Sequence, residues 1–198
     1  MNHQLVLASK SPRRQELLTQ LGFTFDCLPA DIDESVRQNE SPNDYVDRLA
    51  REKSQCIAQQ VNANCVVLGS DTSVIIGDKI LGKPRDLTDC IQMLTELSGQ
   101  KHQVITGVAV TNQAETLSTL VTTDVYFKRL TQDEITRYWQ SGEPCDKAGG
   151  YGIQGVGGQF VKRIEGSYSA VVGLPLYETA QLLAKYQLPM LNYATLGM

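Results

Sequence analysis

The sequence contains few histidines and no regular cysteine spacing, and both features limit the kinds of metal site and catalytic site that the protein can contain. His3 and His102 are the two histidines among 198 residues, so a histidine-rich zinc site cannot be built. A Ser-His-Asp or Cys-His catalytic set would depend on one of those two residues. Five cysteines form an odd number without Cys-x-x-Cys spacing, which favours reduced, structural thiols. Any catalysis therefore falls to carboxylates and cations.

Long apolar runs and tracts of positive charge are missing as well. No cationic segment leads into an apolar core at the N-terminus, and no stretch approaches the roughly 18 apolar residues of a membrane helix. We therefore expect a cytoplasmic protein without a membrane partner. The net charge is −4 and the basic residues are scattered, which argues against a nucleic acid polymer as partner and favours small anions held in a local pocket.

The composition is that of one globular domain over residues 1–198, with 41% hydrophobic and 20% charged residues. Helices are predicted at residues 12–21, 42–60, 87–97, 131–139 and 175–186. Strands are predicted at residues 23–28, 65–69, 74–76, 80–81, 102–111, 117–127 and near 159–172. Because these elements alternate too irregularly for a doubly wound sheet, the predicted fold class is α/β with a mixed, partly antiparallel sheet flanked by helices.

The first apolar run predicts a buried strand that leads into a helix with two arginines in its first turn. The run ends at Ser9, Ser11 can cap the helix through its hydroxyl, and Pro12 suits the first helical position. Arg13 and Arg14 then stand where amides and the helix dipole already favour an anion. This arrangement is typical of a phosphate site, and the alternative is a capped helix with solvated arginines.

Two charged residues fall where isolated charges are costly. Lys53 lies in the middle of the apolar stripe of the predicted 42–60 helix, so it needs an anionic partner or a route to water. Asp71 is predicted at the end of the apolar strand that begins at Cys65. We expect the Lys53→Met substitution to weaken catalysis and to leave room for a gain in thermal stability, because it removes a desolvated charge.

The charged residues that could take part in catalysis or binding form two sets. The cations are Arg13, Arg14, Lys53, Lys83 and Arg85, and the carboxylates are Asp31, Asp33, Glu34, Asp71 and Asp86. Such a mixture suits phosphoryl transfer, because cations neutralise phosphate oxygens while carboxylates hold a divalent metal and orient or deprotonate water. Each residue taken alone also fits a solvated surface charge.

Two glycine patterns resemble nucleotide motifs, and a wider glycine-rich segment includes the second of them. Residues 77–84 resemble a P-loop, but Pro84 replaces the hydroxyl residue needed for magnesium, and the segment lies on the predicted hairpin. Residues 150–155 satisfy Gly-x-Gly-x-x-Gly, but they neither follow a clear strand nor open a helix. The wider segment 146–158 contains six glycines, which indicates a loop with special backbone angles or a close approach to a ligand.

Seven segments spread along nearly the whole chain match one family. They are residues 9–14, 33–34, 49–53, 69–72, 82–86, 148–155 and 172–175. In these segments the chain resembles the Maf family of nucleotide pyrophosphatases, which is related in fold to the inosine triphosphate pyrophosphatases. The resemblance implies two lobes around a cleft and hydrolysis of a nucleoside triphosphate between its α and β phosphates with a divalent metal, Mg²⁺ or Mn²⁺. It also matches Asp71 to the proposed proton acceptor of that family.

Within the family, three positions resemble the branch of dTTP/UTP pyrophosphatases. These are Arg13, Thr72 and Gln154, and a sister branch that acts on 7-methyl-GTP carries tryptophan at the position of Arg13. A glutamine amide offers both a donor and an acceptor to a pyrimidine edge, which suits thymine or uracil. Ser70, where alanine is common in the family, is a small change that should leave Asp71 in place.

The resulting hypothesis assigns a role to each candidate residue. Glu34 and Asp71 bind the metal, and Asp71 activates water against the α phosphorus. The phosphate-binding residues are Ser9, Ser11, Arg14, Lys53, Lys83 and Arg85. We also expect a homodimer. Two rival hypotheses are a non-enzymatic nucleotide-binding regulator of cell division, which gains little from the carboxylates, and a phosphatase that acts on other phosphate esters.

Overall fold

The structure, a computed structural model, describes residues 4–186 and 188. Its strands are β1 (Gln4–Leu7), β2 (Phe25–Cys27), β3 (Cys65–Ile76), β4 (Lys79–Leu81), β5 (Lys101–Thr111), β6 (Thr116–Phe127) and β7 (Val161–Glu165). Its α-helices are α1 (Pro12–Gln20), α2 (Pro42–Ala58), α3 (Leu87–Leu97), α4 (Gln132–Gln140), α5 (Tyr168–Val172) and α6 (Leu176–Ala184). Short 3₁₀ turns lie between α4 and β7.

One mixed sheet organises the chain and confirms the predicted fold class. Its strand order is β2-β1-β3-β5-β6-β7, and β4 pairs with β3. β1 runs parallel to both β2 and β3, whereas the β3–β4 and β6–β7 pairs are antiparallel. The β3–β4 pair is the predicted hairpin, with Val74 opposite Leu81. The P-loop-like segment begins in the turn of this hairpin, so it does not connect a strand to a helix as a P-loop does.

The chain divides into two compact units, each with its own core. Among the described residues, the first unit contains residues 4–71, 106–121, 173–186 and 188, and the second contains Thr72–Ile105 and Thr122–Val172. Aliphatic side chains such as Val6, Ile57 and Val67 fill a core of the first unit. The second unit has an aromatic core, in which the rings of Phe127 and Tyr151 meet edge to face at 4.7 Å.

Local sequence signals located several elements well. α2 and α3 match the predicted helices 42–60 and 87–97, and Thr131 and Glu134 form the predicted capping box at the start of α4. None of the five cysteines, all of which the structure describes, is in a disulfide. Among the described residues, no helix is long and apolar enough to cross a membrane.

Two predictions about strands are wrong. The apolar strand does not end at Ser70, because β3 continues through Asp71 to Ile76 and its buried polar side chains find partners. The strand predicted up to residue 172 ends at Glu165, and the following residues form α5 instead. Ser167 explains that change, because its hydroxyl accepts a hydrogen bond from Ala170 N at 3.2 Å and so caps the new helix.

Candidate active site

A buried ammonium joins two carboxylates in the first unit. Lys53 Nζ lies 2.7 Å from Asp71 Oδ1 and 2.7 Å from Glu34 Oε1. The side chains of Lys53 and Asp71 are each 11% exposed, whereas the Glu34 side chain is 54% exposed. Of the two alternatives predicted for Lys53, an anionic partner or a route to water, the anionic partner is present. Lys53, Asp71 and Glu34 form a charged cluster that extends from the protein interior to the solvent.

Close packing of strands on α2 brings this cluster together. The buried face of α2 includes Val46 and Lys53, so the lysine stem leaves the helix among apolar neighbours. β3 approaches this helix at Gly69, where an added Cβ would lie 2.7 Å from Ser54 N. β5 approaches it at Gly107, where a Cβ would lie 2.9 Å from Val46 O. The missing side chains let the strands lie against α2, and Asp71 follows Gly69 by two residues.

The turn between β1 and α1 holds Arg14 by polar contacts. Arg14 Nε donates to Gly173 O at 2.9 Å, and its Nη1 donates to Ser9 Oγ at 3.4 Å. Burial lowers the pKa of the Arg14 guanidinium and Arg13 lowers it further, whereas Asp71 and Glu34 oppose the shift. Arginine stays charged through shifts of this kind. Arg14 is thus a half-buried cation in the electrostatic field of both carboxylates.

Ser11 does not cap α1 through its hydroxyl, so that prediction is wrong. Ser11 occupies the capping position with an extended backbone, but its side chain accepts no hydrogen bond from the helix. Instead, Ser9 Oγ accepts a hydrogen bond from Ser11 N at 3.1 Å. The hydroxyl of Ser9 therefore binds the turn from the strand side, and Arg14 contacts the same oxygen. Pro12 begins the helix, as predicted.

Gly173, to which the sequence patterns assigned no role, accepts two hydrogen bonds near the cluster. Its carbonyl oxygen accepts hydrogen bonds from Arg14 Nε at 2.9 Å and from Ser70 Oγ at 3.1 Å. Its φ of 134° lies in the region that favours glycine, so the conformation that directs this carbonyl is restricted to that residue type. The available signal was the position of Gly173 between α5 and α6 in one of the seven matching segments.

The acidic loop before α2 is fastened to that helix by two residues that sequence reasoning also missed. Tyr45 Oη donates to Glu34 O at 2.8 Å, and Arg48 Nη2 donates to Ser35 O at 3.0 Å. Burial, and then the charges of Asp71 and Glu34, raise the pKa of Tyr45 to about 12. Tyr45 is thus a neutral hydrogen-bond donor to the loop at physiological pH. Its position one helical turn after Ser41, which caps α2, was the only local signal.

The remaining carboxylates of the predicted set have separate positions. Asp33 accepts a hydrogen bond from Ser35 N at 2.9 Å, and this backbone hydrogen bond lowers its pKa. Asp31 is exposed in the same loop. Asp86 caps α3 by accepting from Asp89 N at 2.8 Å, so it has a structural role that the charge pattern alone did not reveal.

Four predicted site residues belong to the second unit. Thr72 follows Asp71 in β3 and is half-buried, whereas Lys83, Arg85 and Gln154 are exposed. Arg85 Nε lies 3.1 Å from Asp89 Oδ2, in a pair one helical turn apart at the start of α3. These residues keep the roles expected of them as predictions.

The glycine-rich loop around Gln154 is held by the residues that follow α4. Glu143 accepts hydrogen bonds from Val156 N at 2.8 Å and Gly157 N at 3.0 Å. Tyr138 Oη donates to Glu143 at 2.7 Å and accepts from Gly152 N at 3.1 Å. The Gly-x-Gly-x-x-Gly segment lies in turns and short 3₁₀ helices and opens no α-helix, which agrees with the rejection of a dinucleotide motif.

The two carboxylates of the cluster are groups of the kind that bind divalent cations. Within residues 4–186, no group of three or more histidine, cysteine, aspartate or glutamate side chains is placed to hold a metal ion. Glu34 and Asp71 are two hard oxygen ligands that share Lys53. Mg²⁺ in nucleotide enzymes is commonly bound by one or two carboxylates together with substrate phosphates. The residues therefore fit a cation whose coordination a bound nucleotide completes.

Comparisons with solved structures gave low similarity. A HAM1 protein from Coxiella burnetii has a TM-score of 0.48 at 17% identity, covering 65% of this chain and 75% of that chain. A dITP/XTP pyrophosphatase from Mycobacterium abscessus has a TM-score of 0.41 at 13% identity, covering 64% of this chain and 75% of that chain. At these TM-scores the two likenesses support no argument about fold or function.

Sequence comparisons were far closer. A dTTP/UTP pyrophosphatase of Vibrio cholerae is 58% identical over 92% of this chain and 98% of its own length. Proteins with the same name from Vibrio vulnificus and Colwellia psychrerythraea are 56% and 54% identical, over 93% and 92% of this chain and 99% and 88% of their own lengths. A family model described as Maf-like protein matches residues 4–186. The chain therefore belongs to the Maf-like protein family.

Proposed function

We propose that this protein hydrolyses dTTP and UTP between the α and β phosphates, releasing the nucleoside monophosphate and pyrophosphate. The observation that carries the proposal is the buried Lys53–Asp71 pair with Glu34 at its open end, in which the ammonium lies 2.7 Å from an oxygen of each carboxylate. The relatives named dTTP/UTP pyrophosphatase, at 54–58% identity over nearly the whole chain, support the choice of substrate.

Asp71 is the proposed base that takes a proton from the attacking water. Its Oδ1 is engaged by Lys53, so the carboxylate is held in one orientation. A carboxylate in a fixed position can direct a water molecule in line with a phosphoanhydride bond. Glu34, which is largely exposed, completes the negative side of the cluster.

Glu34 and Asp71 are the proposed ligands of Mg²⁺ or Mn²⁺. A bound divalent ion polarises phosphate oxygens and neutralises their charge. Lys53 contacts both carboxylates, so its ammonium would keep Asp71 oriented and add positive charge beside the phosphates of a bound nucleotide. Tyr45 holds the main chain of Glu34 in place.

The phosphate charge is proposed to be neutralised mainly by arginine and lysine. In the first unit, Arg14 is fixed by Gly173 and Ser9, and Arg13 precedes it in the same helical turn. Ser9 and Ser11 supply hydroxyl groups to the same phosphate-binding turn. Lys83 and Arg85, in the second unit, are proposed to stabilise the leaving pyrophosphate. The charge that develops on the leaving group requires cations of this kind.

Substrate choice is proposed to rest on Arg13, Thr72 and Gln154. Gln154 is the residue with chemistry suited to a base edge, because its amide donates one hydrogen bond and accepts another. Thymine and uracil present a carbonyl oxygen beside an N–H, whereas cytosine presents an amino group beside a bare nitrogen. An amide held with its NH₂ toward the carbonyl oxygen and its own oxygen toward the N–H matches thymine and uracil but not cytosine, so we expect CTP to be a poor substrate.

Product analysis tests this proposal most directly. The purified protein is incubated with Mg²⁺ or Mn²⁺ and dTTP, UTP, CTP, 7-methyl-GTP or ITP, and nucleotide products are separated while pyrophosphate and orthophosphate are assayed. Pyrophosphate together with dTMP or UMP is the expected result. Orthophosphate alone would place the cleavage elsewhere and favour a phosphatase. Nucleotide binding without cleavage would instead support the non-enzymatic regulator, which the names of the relatives do not favour.

Two further expectations accompany the proposed reaction. We place the enzyme in the cytoplasm, where nucleoside triphosphates are made and used, and cell fractionation tests this. We also retain the prediction of a homodimer, which light scattering on the purified protein tests.

A further inference from the structure

The Glu143 carboxylate lies inside the glycine-rich loop and is surrounded by hydrogen-bond donors from it. Oε2 accepts from Val156 N at 2.8 Å, and Oε1 accepts from Gly157 N at 3.0 Å and from Tyr138 Oη at 2.7 Å. Successive backbone amides that converge on one anion form the kind of nest that binds phosphate in other proteins. Here the protein's own carboxylate occupies it, so the amides of Val156 and Gly157 are committed to Glu143.

Tyr138 fastens the other end of the same loop. Its hydroxyl donates to Glu143 and accepts from Gly152 N at 3.1 Å. The loop is therefore attached at Gly152 on one side and at Val156 and Gly157 on the other. Gln154 lies between these two attachments. Its side chain is exposed, so its position depends on the main chain that flanks it.

Steric contacts show how closely the loop follows these two side chains. A Cβ added at Gly155 would overlap Glu143 Oε2, and one added at Gly157 would lie 2.5 Å from Tyr138 Oη. A Cβ at Gly152 would lie 3.2 Å from Glu143 Oε1. Glycine at these positions thus serves a close approach to the protein's own carboxylate and phenol. This accounts for three of the six glycines that the sequence had associated with a ligand.

The charge state of Glu143 agrees with the geometry. Burial raises the pKa of this carboxyl, but the hydrogen bonds from Gly157, Tyr138 and Val156 outweigh burial and hold the pKa below its ordinary value. Glu143 is therefore ionised at neutral pH, and an ionised carboxylate accepts stronger hydrogen bonds than a neutral amide.

We propose that Glu143, assisted by Tyr138, is a positioning residue that sets the pyrimidine specificity of the enzyme by fixing the loop that carries Gln154. This inference rests on the proposed function, in which Gln154 reads the base. A glutamine amide can turn over and match either the thymine or the cytosine edge. Gln154 therefore discriminates only while its amide keeps one position and one orientation, and in this proposal the loop main chain on either side of Gln154 sets both. Glu143 itself contacts neither base nor phosphate in this role.

The test compares Glu143→Gln, Tyr138→Phe and Gln154→Ala with the wild type. The measured quantity is the ratio of kcat/KM for dTTP to kcat/KM for CTP. Glu143→Gln retains one acceptor oxygen but leaves a loop amide facing an NH₂ group, and we expect the ratio to fall about tenfold, as for the loss of one charge-assisted hydrogen bond. Tyr138→Phe should lower the ratio less. If Glu143→Gln does not fold, the ratio measured for Tyr138→Phe decides the test.

A double-mutant cycle separates positioning from general structural damage. Because Glu143 acts through Gln154, adding Glu143→Gln to Gln154→Ala should leave the ratio unchanged. Gln159→Ala, an exposed change at the end of the same loop, is the matched control and should retain the wild-type ratio. A fall of the ratio in the Gln154→Ala background, or an unchanged ratio in Glu143→Gln, overturns the inference.

Hydrogen–deuterium exchange on the nucleotide-free protein supplies a second readout. The amides of Val156 and Gly157 should exchange faster in Glu143→Gln and at the wild-type rate in Gln159→Ala. Unchanged exchange in Glu143→Gln contradicts the anchoring role without reference to catalysis. By contrast, a wild-type protein that binds nucleotides and cleaves none overturns the proposed function and the specificity role of Glu143, while the exchange data still decide whether Glu143 anchors the loop.

Discussion

The cluster around Lys53 and the loop around Glu143 use opposite means to hold functional groups in place. In the cluster, the charged side chains proposed to react also hold one another, as Lys53 does with Asp71 and Glu34. In the loop, a carboxylate outside the proposed chemistry holds backbone amides, and the exposed Gln154 is positioned through the main chain. The first region is therefore sensitive to changes of charge, and the second to added volume.

This difference also separates stability from activity. Each residue of the Lys53 cluster is proposed to act in catalysis and also takes part in the ion pairs around Lys53, so one substitution should change both activity and stability. Glu143 and its loop contribute to specificity without contacting the phosphates in the proposed mechanism. The comparison can be tested by substitutions that remove a charge from one region or add a carbon atom to the other.

The largest effect is expected for Asp71→Asn. Removal of the proposed base should lower turnover of dTTP by about 10²- to 10⁴-fold, the range typical of general base catalysis. The fold should be retained, because the asparagine oxygen can still accept from Lys53. Pyrophosphate release measures the effect, and Asp78→Asn, in the exposed turn between β3 and β4, is the control. Retention of most activity by Asp71→Asn would remove the base assignment.

Lys53→Met should unfold more easily than the wild type, in contrast to the expectation from the sequence. The substitution leaves the buried Asp71 without the ammonium at 2.7 Å, and breaking a buried pair costs about 3 kcal/mol. Urea denaturation measures the free energy of unfolding. Lys79→Met is the matched control, because Lys79 lies at the same 2.7 Å from Glu96 with its side chain 52% exposed, and exposed pairs contribute at most about 1 kcal/mol.

The double variant Lys53→Met/Asp71→Asn sharpens this prediction. If the loss in Lys53→Met comes from the remaining buried charge, neutralising Asp71 as well should restore part of the stability. Equal losses in the single and double variants would instead assign the effect to packing of the lysine stem. A Lys53→Met protein more stable than the wild type would support the original reading of an unfavourable desolvated lysine.

Gly155→Ala tests the loop by volume alone. Gly155 has a φ of −105°, which alanine adopts without strain, but the new Cβ would overlap Glu143 Oε2. Overpacking of this kind costs about 1–3 kcal/mol, and the dTTP-to-CTP ratio should fall as the loop shifts. Gly82→Ala is the stability control, since its Cβ would meet no atom within 4 Å. Equal melting temperatures for the two variants would contradict the close fit of the loop.

The smallest effect is expected for acid titration of the Glu40–Arg48 pair. A hydrogen bond from Arg48 lowers the pKa of Glu40 to about 2 from an ordinary 4.5. Between these values the unfolded chain binds more protons, so stability is lost as the pH falls from 4.5 toward 2. Thermal unfolding should therefore show a weaker acid dependence in Glu40→Gln than in the wild type. Parallel curves would show that Glu40 does not fasten the loop before α2 through Arg48.

Much of the fold could be predicted because its signals are local. Residues 42–58 and 87–97 combine apolar periodicity with capping residues, and those helices lie where they were expected. The end of β3 was missed because Ser70 and Asp71 are polar, and a run of polar residues normally marks a strand end. Their partners Gly173 and Lys53 are distant in sequence and allow the strand to continue.

The candidate site was predictable as a set of residue types but not as a geometry. The position of Lys53 in an apolar stripe indicated that it needed either an anionic partner or a route to water. The identity of that partner depended on Gly69, which lets β3 lie against α2. The role of Glu143 gave no signal beyond a glycine-rich segment, because its hydrogen bonds go to backbone amides that any sequence provides.

The sequence by itself determined the helices other than α5, the hairpin, the charged residue types and the family, because each follows from side chains a few residues apart or from motifs read in order. Only the tertiary structure decided that Lys53 lies 2.7 Å from two carboxylates and that Glu143 fills a nest of loop amides. The physical reason is that a buried charge or an amide is satisfied by whatever the packing of elements brings near it. That packing depends in part on glycines, which lack a side chain and so let two elements approach closely. No local sequence pattern shows which element will lie next to a given glycine.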